Sequence, residues 1–357
     1  MTNCCVNCFQ DHVLRDLVES FDVRGNCDFC DGRGVCVYDF RKHADLQNML
    51  LSIIGLYDTA SSETESQAHS LAYELTSRWH LLKLSESRAR HLLNSMYQET
   101  TGGIFDGYKM EKFLGGLVQL KRMRKDGKEH DWEKFADHLK YHNRFFVSFI
   151  DLEALEELIT YTRATCKPGT ILTRARIAKD AKGFAPGEDM GAPPRGLAGN
   201  GRINPAGISE LYTTLGNDAE ADDTALHEIR AGMHDYVTFG KFVLNRAITI
   251  ADLSRLEEIS PFDIDEEDLP LLAANLEILN GMSREISKPM RRGDDSLEYV
   301  PSQYIAEFIK SLQYDGVKYA STLRNGGMNL CLFDPTAYVC CKTYTKRVSE
   351  VAYSTVN

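Results

Sequence analysis

Two CxxC pairs, Cys5-Val6-Asn7-Cys8 and Cys27-Asp28-Phe29-Cys30, stand near the start of this chain with eighteen residues between them. A CxxC turn directs two thiolates at one centre, and two such turns complete the tetrahedron that zinc prefers. Six of the ten cysteines fall within the first 36 residues. So short a segment buries too little apolar surface to fold without such a staple. Four protein ligands close the coordination sphere, so Cys5, Cys8, Cys27 and Cys30 read as a structural zinc site without catalytic function. Free thiols are the alternative. Cys4 could stand in for Cys5, and Cys36 for one member of the second pair. The remaining cysteines, Cys166, Cys331, Cys340 and Cys341, read as small buried apolar residues.

A length of 357 residues suggests two or three compact units. The formal net charge of -11 argues against nucleic acid as a non-specific partner, which requires a positive face. The short basic run from Arg122 to Lys128 reads as a solvated loop. No apolar run reaches the length needed to span a bilayer, so no membrane partner is expected. The opening MTNCCVNCFQDHVLRD lacks the basic start and apolar stretch of a secretory signal, and a cytoplasmic location is expected.

The predicted fold class is α+β. Residues 1–42 form a zinc ribbon-like module. Residues 43–165 hold no proline, and their apolar residues recur at three- and four-residue spacing, as in Leu46, Met49, Leu50, Ile53 and Ile54. They read as a helical domain. Lys167-Pro168-Gly169 marks a turn at the next boundary. Residues 166–357 then read as a mixed α/β domain. Strands are predicted at 171–176, 317–320, 329–333 and 338–344, with strand-like runs over 237–250. Helices are predicted at 219–233, 266–286 and 301–312. A Gly/Pro-rich loop spans 183–207, and a loop of that length within a compact domain usually has a function.

Arg124 stands six residues before His130 in the helical region. This spacing is similar to the loose arginine-to-histidine spacing of HEPN-type ribonucleases, where a base and a cation converge on a phosphate. Such spacings also arise by chance in charged stretches, and a helical scaffold with surface histidines is the plainer reading.

The last domain carries an ordered set of polar residues. Arg174 ends the first strand in ILTRAR, and Arg176 shares its strand face. Arg202 lies in GNGRINPAGISELY, where glycines let backbone approach a ligand closely. Tyr212 follows on a short strand. Glu228 lies on the helix TALHEIR, Ser321 ends the strand in DGVKYAST, and Asn329 begins the strand in GGMNLCLFD. Arginine is the planar, permanently charged donor that a pyrophosphate selects. An aromatic face suits a nicotinamide ring. A carboxylate stabilises a ribosyl cation as a glycosidic bond breaks. Together these groups are the pieces that NAD requires. Taken singly, each has a structural explanation: surface ion pairs for the arginines, core packing for Tyr212, turn formation for Ser321 and Asn329.

The ordered motifs, including SQYIAEFI, resemble the RES domain, named for its arginine, glutamate and serine. The resemblance covers roughly residues 166–345. It implies a fold related to ADP-ribosyltransferases and an enzyme that consumes NAD. By matching motif, Arg174 and Arg202 would contact the NAD phosphates, and Tyr212 would pack on the nicotinamide side. Glu228 would stabilise the ribosyl cation, Ser321 would bond nicotinamide or its ribose, and Asn329 would support that pocket. Thr173 stands where many relatives carry an aromatic residue, which removes a stacking contribution there. The zinc-binding start followed by a helical region is similar to the HEPN-associated domain that precedes some RES domains.

The resulting expectation is an NAD glycohydrolase or phosphorylase acting as an intracellular toxin or defence effector. NAD is its substrate, structural zinc its metal, and an antitoxin or regulatory protein its partner. The alternatives are a protein ADP-ribosyltransferase using the same pocket, a non-catalytic zinc-dependent interaction protein, and a HEPN-type ribonuclease.

Overall fold

The computed structural model of the chain describes residues 2–61, 68–99, 107–121, 131–147, 150–187, 189–288 and 296–351. Its contacts divide into two units, Met1–His130 with Glu257–Glu277 and Asp131–Leu256 with Ile278–Asn357. The stretch from Arg124 to His130 lies outside the described residues.

In the first unit, the cysteine pairs are framed by a small antiparallel sheet. Its strands are β1 (Asn3–Cys5), β2 (Arg24–Gly25) and β3 (Val35–Asp39), in the order β1-β3-β2. Helix α1 (His12–Ser20) starts where the Asp11 carboxylate accepts from Leu14 N–H at 2.9 Å. Helix α2 (Asp45–Ile54) buries Leu46, Leu50, Ile53 and Ile54 on one stripe. A second sheet departs from the helical reading of this region. It is built from β4 (Tyr57–Thr59), β5 (His69–Ser70) and β6 (Leu117–Leu120), in the order β4-β6-β5. Strands this short show no legible alternation, and their pairing joins segments far apart in the chain. Helices α3 (Leu71–Tyr73), α4 (Glu86–Glu99) and α5 (Gly107–Gly115) are further elements of this unit, with a π-helical turn at Glu74–Arg78 after α3.

The second unit begins with α6 (Trp132–Tyr141) and α7 (Leu152–Thr160), capped by the Asp131 and Asp151 side chains. An eight-stranded sheet follows. Its strands are β7 (Arg163–Cys166), β8 (Ile171–Ala178), β9 (Leu211–Leu215), β10 (Tyr236–Leu244), β11 (Ile248–Asp252), β12 (Gly316–Ala320), β13 (Met328–Leu332) and β14 (Tyr338–Arg347). The order is β14-β10-β8-β9-β13-β12-β11-β7. Helix α8 (Ala219–Glu228) follows β9, and helices α9 (Leu269–Ile286) and α10 (Val300–Ser311) separate β11 from β12 in sequence. That long crossover explains why β11 and β12 run parallel while the other neighbours are antiparallel.

The sequence reads one helix over 219–233. The structure ends it at Glu228, and Arg230 adopts a left-handed conformation with φ of 50°. The run over 237–250 resolves into β10 and β11, with a turn between them.

One face of the sheet buries Leu172, Leu211, Phe242, Ile250, Leu330 and Leu332. Each such side chain contributes about 1.5–3 kcal/mol by leaving water. The other face packs Ala175, Val237 and Phe239 with Ala225 of α8. No described helix is long and apolar enough to cross a membrane.

One irregularity places the site. Strands β8 and β9 pair through only two rungs, Leu172 with Leu215 and Thr173 with Thr214. Beyond Thr173, β8 continues along β10 as far as Ala178. Strand β9 continues along β13 as far as Leu211. The sheet therefore parts from Arg174 onward.

Candidate active site

A cavity of about 200 Å³ opens at this parting of the strands. Arg174, Tyr212, Thr214, Glu228, Tyr319 and Asn329 are among its lining residues. Four of these, Arg174, Tyr212, Glu228 and Asn329, are predicted from sequence as site residues. They come from β8, β9, α8 and β13.

Arg174 is the first residue of β8 past the last rung to β9. Its Nη1 is closed off from solvent and has no hydrogen-bond partner among the described residues. A buried donor left unmade costs about 1–3 kcal/mol, more when charged. Burial, with the nearby charge of Arg176 adding to it, lowers the Arg174 pKa to about 10. The guanidinium remains a cation at neutral pH, so the cavity wall carries an unspent positive charge. Arg176 is engaged elsewhere: its guanidinium lies 4.5 Å from the centre of the Phe184 ring and donates to the carbonyl of Asp189. Arg176 thereby ties the Gly/Pro-rich loop to the sheet.

Glu228 is the last residue of α8. Its Oε1 accepts from Ser321 Oγ at 2.6 Å and from Asn329 Nδ2 at 2.7 Å. Ser321 is fixed in turn, because its Oγ accepts from the backbone N–H of Leu323 (3.2 Å) and Arg324 (3.1 Å). Asn329 is buried within β13. The carboxylate is thus held in one orientation by two donors from the ends of adjacent strands.

The Tyr212 hydroxyl donates to Asn204 Oδ1 at 2.7 Å and accepts from Ile203 N–H at 3.0 Å. Burial raises its pKa well above the ordinary range, so the phenol stays protonated. Gly201 makes this knot possible, since a Cβ there would fall 2.5 Å from Asn204 Oδ1 and 2.6 Å from the Tyr212 hydroxyl.

Arg202 is placed differently. Its Nη1 donates to the carbonyls of Ile286 (2.6 Å) and Glu285 (3.3 Å), at the C-terminal end of α9. A cation there satisfies carbonyls that have no partner within the helix. Its side chain is not among those lining the cavity.

Thr173 also lines the cavity. Its Oγ1 accepts from the buried Lys241 Nζ at 2.7 Å and donates to the carbonyl of Gly216 at 2.8 Å. Lys241 in turn donates to Asp222 of α8 at 2.7 Å. Tyr319 is missing from the sequence-based set. A buried tyrosine two residues before Ser321, at the same parity of the strand, is the signal that could have identified it.

In the first unit, the Sγ atoms of Cys5, Cys8, Cys27 and Cys30 all lie within 4.8 Å of one another. Cys5 and Cys30 are 3.4 Å apart, Cys8 and Cys27 3.4 Å, and Cys5 and Cys8 3.9 Å. Tetrahedral zinc with bonds of about 2.3 Å requires sulfur separations of about 3.8 Å, so the four thiols fit that ion. The backbone N–H groups of Phe29 and Gly32 point at Cys27 Sγ (3.3 Å) and Cys30 Sγ (3.4 Å), as suits thiolate acceptors. Cys4 lies outside this set, with its Sγ 3.7 Å from the Tyr38 carbonyl.

No curated protein matches the chain. Among solved structures, it is similar to the crystal structure of the M. tuberculosis MbcT-MbcA toxin-antitoxin complex. That likeness has 15% identity and a TM-score of 0.31, and covers 56% of this chain and 94% of the other. The family model described as the RES domain matches residues 172–353. That match takes in the parting of β8 and β9, the cavity and every polar residue described around it, and over more than half its length the chain belongs to the RES domain family.

Proposed function

We propose that this protein binds NAD in the cavity between β8 and β9 and breaks its nicotinamide–ribose bond. The observation that carries the reading is a Glu228 carboxylate fixed by Ser321 and Asn329 in the same cavity as the unpartnered Arg174 cation. Arg174 takes a pyrophosphate oxygen, which satisfies its orphaned donor. Tyr212 packs on the nicotinamide side. As nicotinamide departs with the bonding electron pair, positive charge develops on the ribose, and Glu228 stabilises it. Water or phosphate then attacks the ribose carbon and loses its proton. Arg202 adds a second phosphate contact when its guanidinium exchanges the α9 carbonyls for the ligand.

The four clustered cysteines hold a structural zinc ion, and no step of the reaction passes through it. We assign residues 1–42 to the zinc module, 43–165 to a helical HEPN-like domain and 166–357 to the RES domain. The setting that the family resemblance implies is a toxin or defence effector restrained by an antitoxin.

The test is release of nicotinamide from NAD by the purified full chain. Glu228→Gln should lower turnover on the order of 100-fold or more, the loss expected when a transition-state electrostatic contact is removed. Equal turnover by the variant would take the carboxylate out of the mechanism.

A further inference from the structure

The Ser302-Gln303 pair of α10 has no part in the chemistry above, yet both side chains close on the loop that carries Arg202. Gln303 is buried. Its Nε2 lies 2.7 Å from the Gly201 carbonyl, 2.8 Å from Asn200 Oδ1 and 3.0 Å from the Asn204 carbonyl. A primary amide has only two N–H groups, so three acceptors compete for two hydrogens and the group is fully used. Ser302 Oγ donates to the Arg202 carbonyl at 2.6 Å. Four of the five loop residues from 200 to 204, namely Asn200, Gly201, Arg202 and Asn204, are thereby tied to Ser302 and Gln303 of α10.

The same loop is tied to the cavity from its other side. The Asn204 amide donates to the carbonyls of Gly199, Pro205 and Ile208 at 2.9–3.0 Å. Asn204 Oδ1 accepts from the Tyr212 hydroxyl, and that hydroxyl accepts from Ile203 N–H. This stretch has no regular secondary structure, so side chains must satisfy its backbone groups. A continuous hydrogen-bonded path therefore runs from Gln303 through the 200–204 backbone to the hydroxyl of Tyr212, whose ring lines the cavity.

We propose that Gln303 is a positioning residue of the cleft. Its amide fixes the 200–204 backbone, and through that backbone it sets the placement of the Tyr212 ring and the reach of the Arg202 side chain. Its effect on turnover rests on the NAD reading, while its effect on the loop does not. A hydrophobic residue of similar volume would fill the space, yet would take the donor from the Gly201 carbonyl and Asn200 Oδ1 and leave the Asn204 carbonyl with the Gly201 N–H alone. A glutamate would turn acceptor oxygens toward acceptor oxygens.

The test compares the wild type, Gln303→Leu, Gln303→Glu and Glu228→Gln in the full chain. Two readouts are used: steady-state nicotinamide release from NAD, and backbone amide hydrogen exchange over residues 196–212. Both Gln303 variants should speed exchange in this segment ahead of the rest of the sheet. KM for NAD should rise on the order of tenfold, with kcat changed by less than about threefold, the pattern of lost substrate positioning. Glu228→Gln should show the reverse, a fall in kcat with unchanged loop exchange. Ser302→Ala removes one bond to the same loop, and carries the comparison if the Gln303 variants do not fold. Faster loop exchange in a protein whose wild type releases no nicotinamide would support the clamp while overturning the NAD reading. Unchanged exchange over 196–212, or unchanged KM in an active protein, would overturn the assignment.

Discussion

Ser321 Oγ donates to Glu228 Oε1 across 2.6 Å, joining the end of β12 to the last residue of α8 over 93 positions of sequence. Asn329 Nδ2 reaches the same oxygen at 2.7 Å. Two neutral donors on one carboxylate oxygen orient it without neutralising it, which suits a group that must face a developing cation. Ser321→Ala leaves the Asn329 contact and should lower kcat about tenfold, the value of one hydrogen bond to a charged group. The Ser321→Ala, Asn329→Ala double variant should lose more than the product of the single effects. Steady-state kinetics of the three variants checks this, and strict additivity would mean that the two donors act independently.

Arg174 offers a test in which stability and binding move in opposite directions. Its Nη1 is buried without a partner, and burial lowers its pKa to about 10. Arg174→Met removes the unsatisfied cation and keeps much of the side-chain volume. The folded state should gain about 1 kcal/mol, the lower end of the cost of an unmade buried donor. NAD affinity should fall at least tenfold. Thermal melts with and without NAD check both effects, and a destabilised variant that still binds NAD would contradict the assignment.

Asp222 should contribute to the acid limb of the second unit's stability. Burial works to raise its pKa, but Lys241, Tyr344 and Lys346 donate to it and hold it below the ordinary carboxylate range. A carboxylate depressed in the folded state contributes stability that is full above its unfolded pKa. That contribution disappears as pH falls through the lower, folded value. Asp222→Asn should therefore flatten the decline of melting temperature at low pH. It should also cost about 3 kcal/mol at neutral pH, because the buried Lys241 ammonium loses its counter-charge. Melting temperature followed from pH 3 to pH 7 in both proteins checks the slope.

Gly201 should tolerate no side chain. A Cβ would lie 2.5 Å from Asn204 Oδ1 and 2.6 Å from the Tyr212 hydroxyl, both within a fixed hydrogen-bonded knot. Gly201→Ala should lower stability by about 1–3 kcal/mol and weaken NAD binding through Tyr212. Calorimetric melting together with NAD titration checks it.

The cysteine cluster predicts one zinc ion per chain. Cys8→Ser, or treatment with a strong chelator, should release that zinc and unfold the segment around β1–β3. Metal analysis with hydrogen exchange over residues 3–40 would follow the loss.

Local chemistry made several features legible in the sequence. The CxxC spacing points to four thiols at one centre because a tight turn fixes the geometry of each pair. The strands around Arg174, Ser321 and Asn329 and the helix that carries Glu228 follow from apolar period and turn residues, which act over a few positions, although the end of that helix does not. The short strands β4, β5 and β6 escaped because runs of two to four residues carry no readable period. Tyr319 and Gln303 escaped because each reads as an ordinary strand or helix residue until its neighbours are known.

By itself, then, the sequence determined the order of the polar motifs, the family they belong to and the local element that carries most of them. Only the tertiary structure decided that β8 and β9 part after two rungs, that Arg174 stands unpartnered at the parting, and that Arg202 rests on the end of a helix more than eighty residues away. The reason is physical. Propensity and periodicity arise from neighbouring residues, whereas register, burial and the pairing of a buried charge depend on which distant surfaces meet when the core closes.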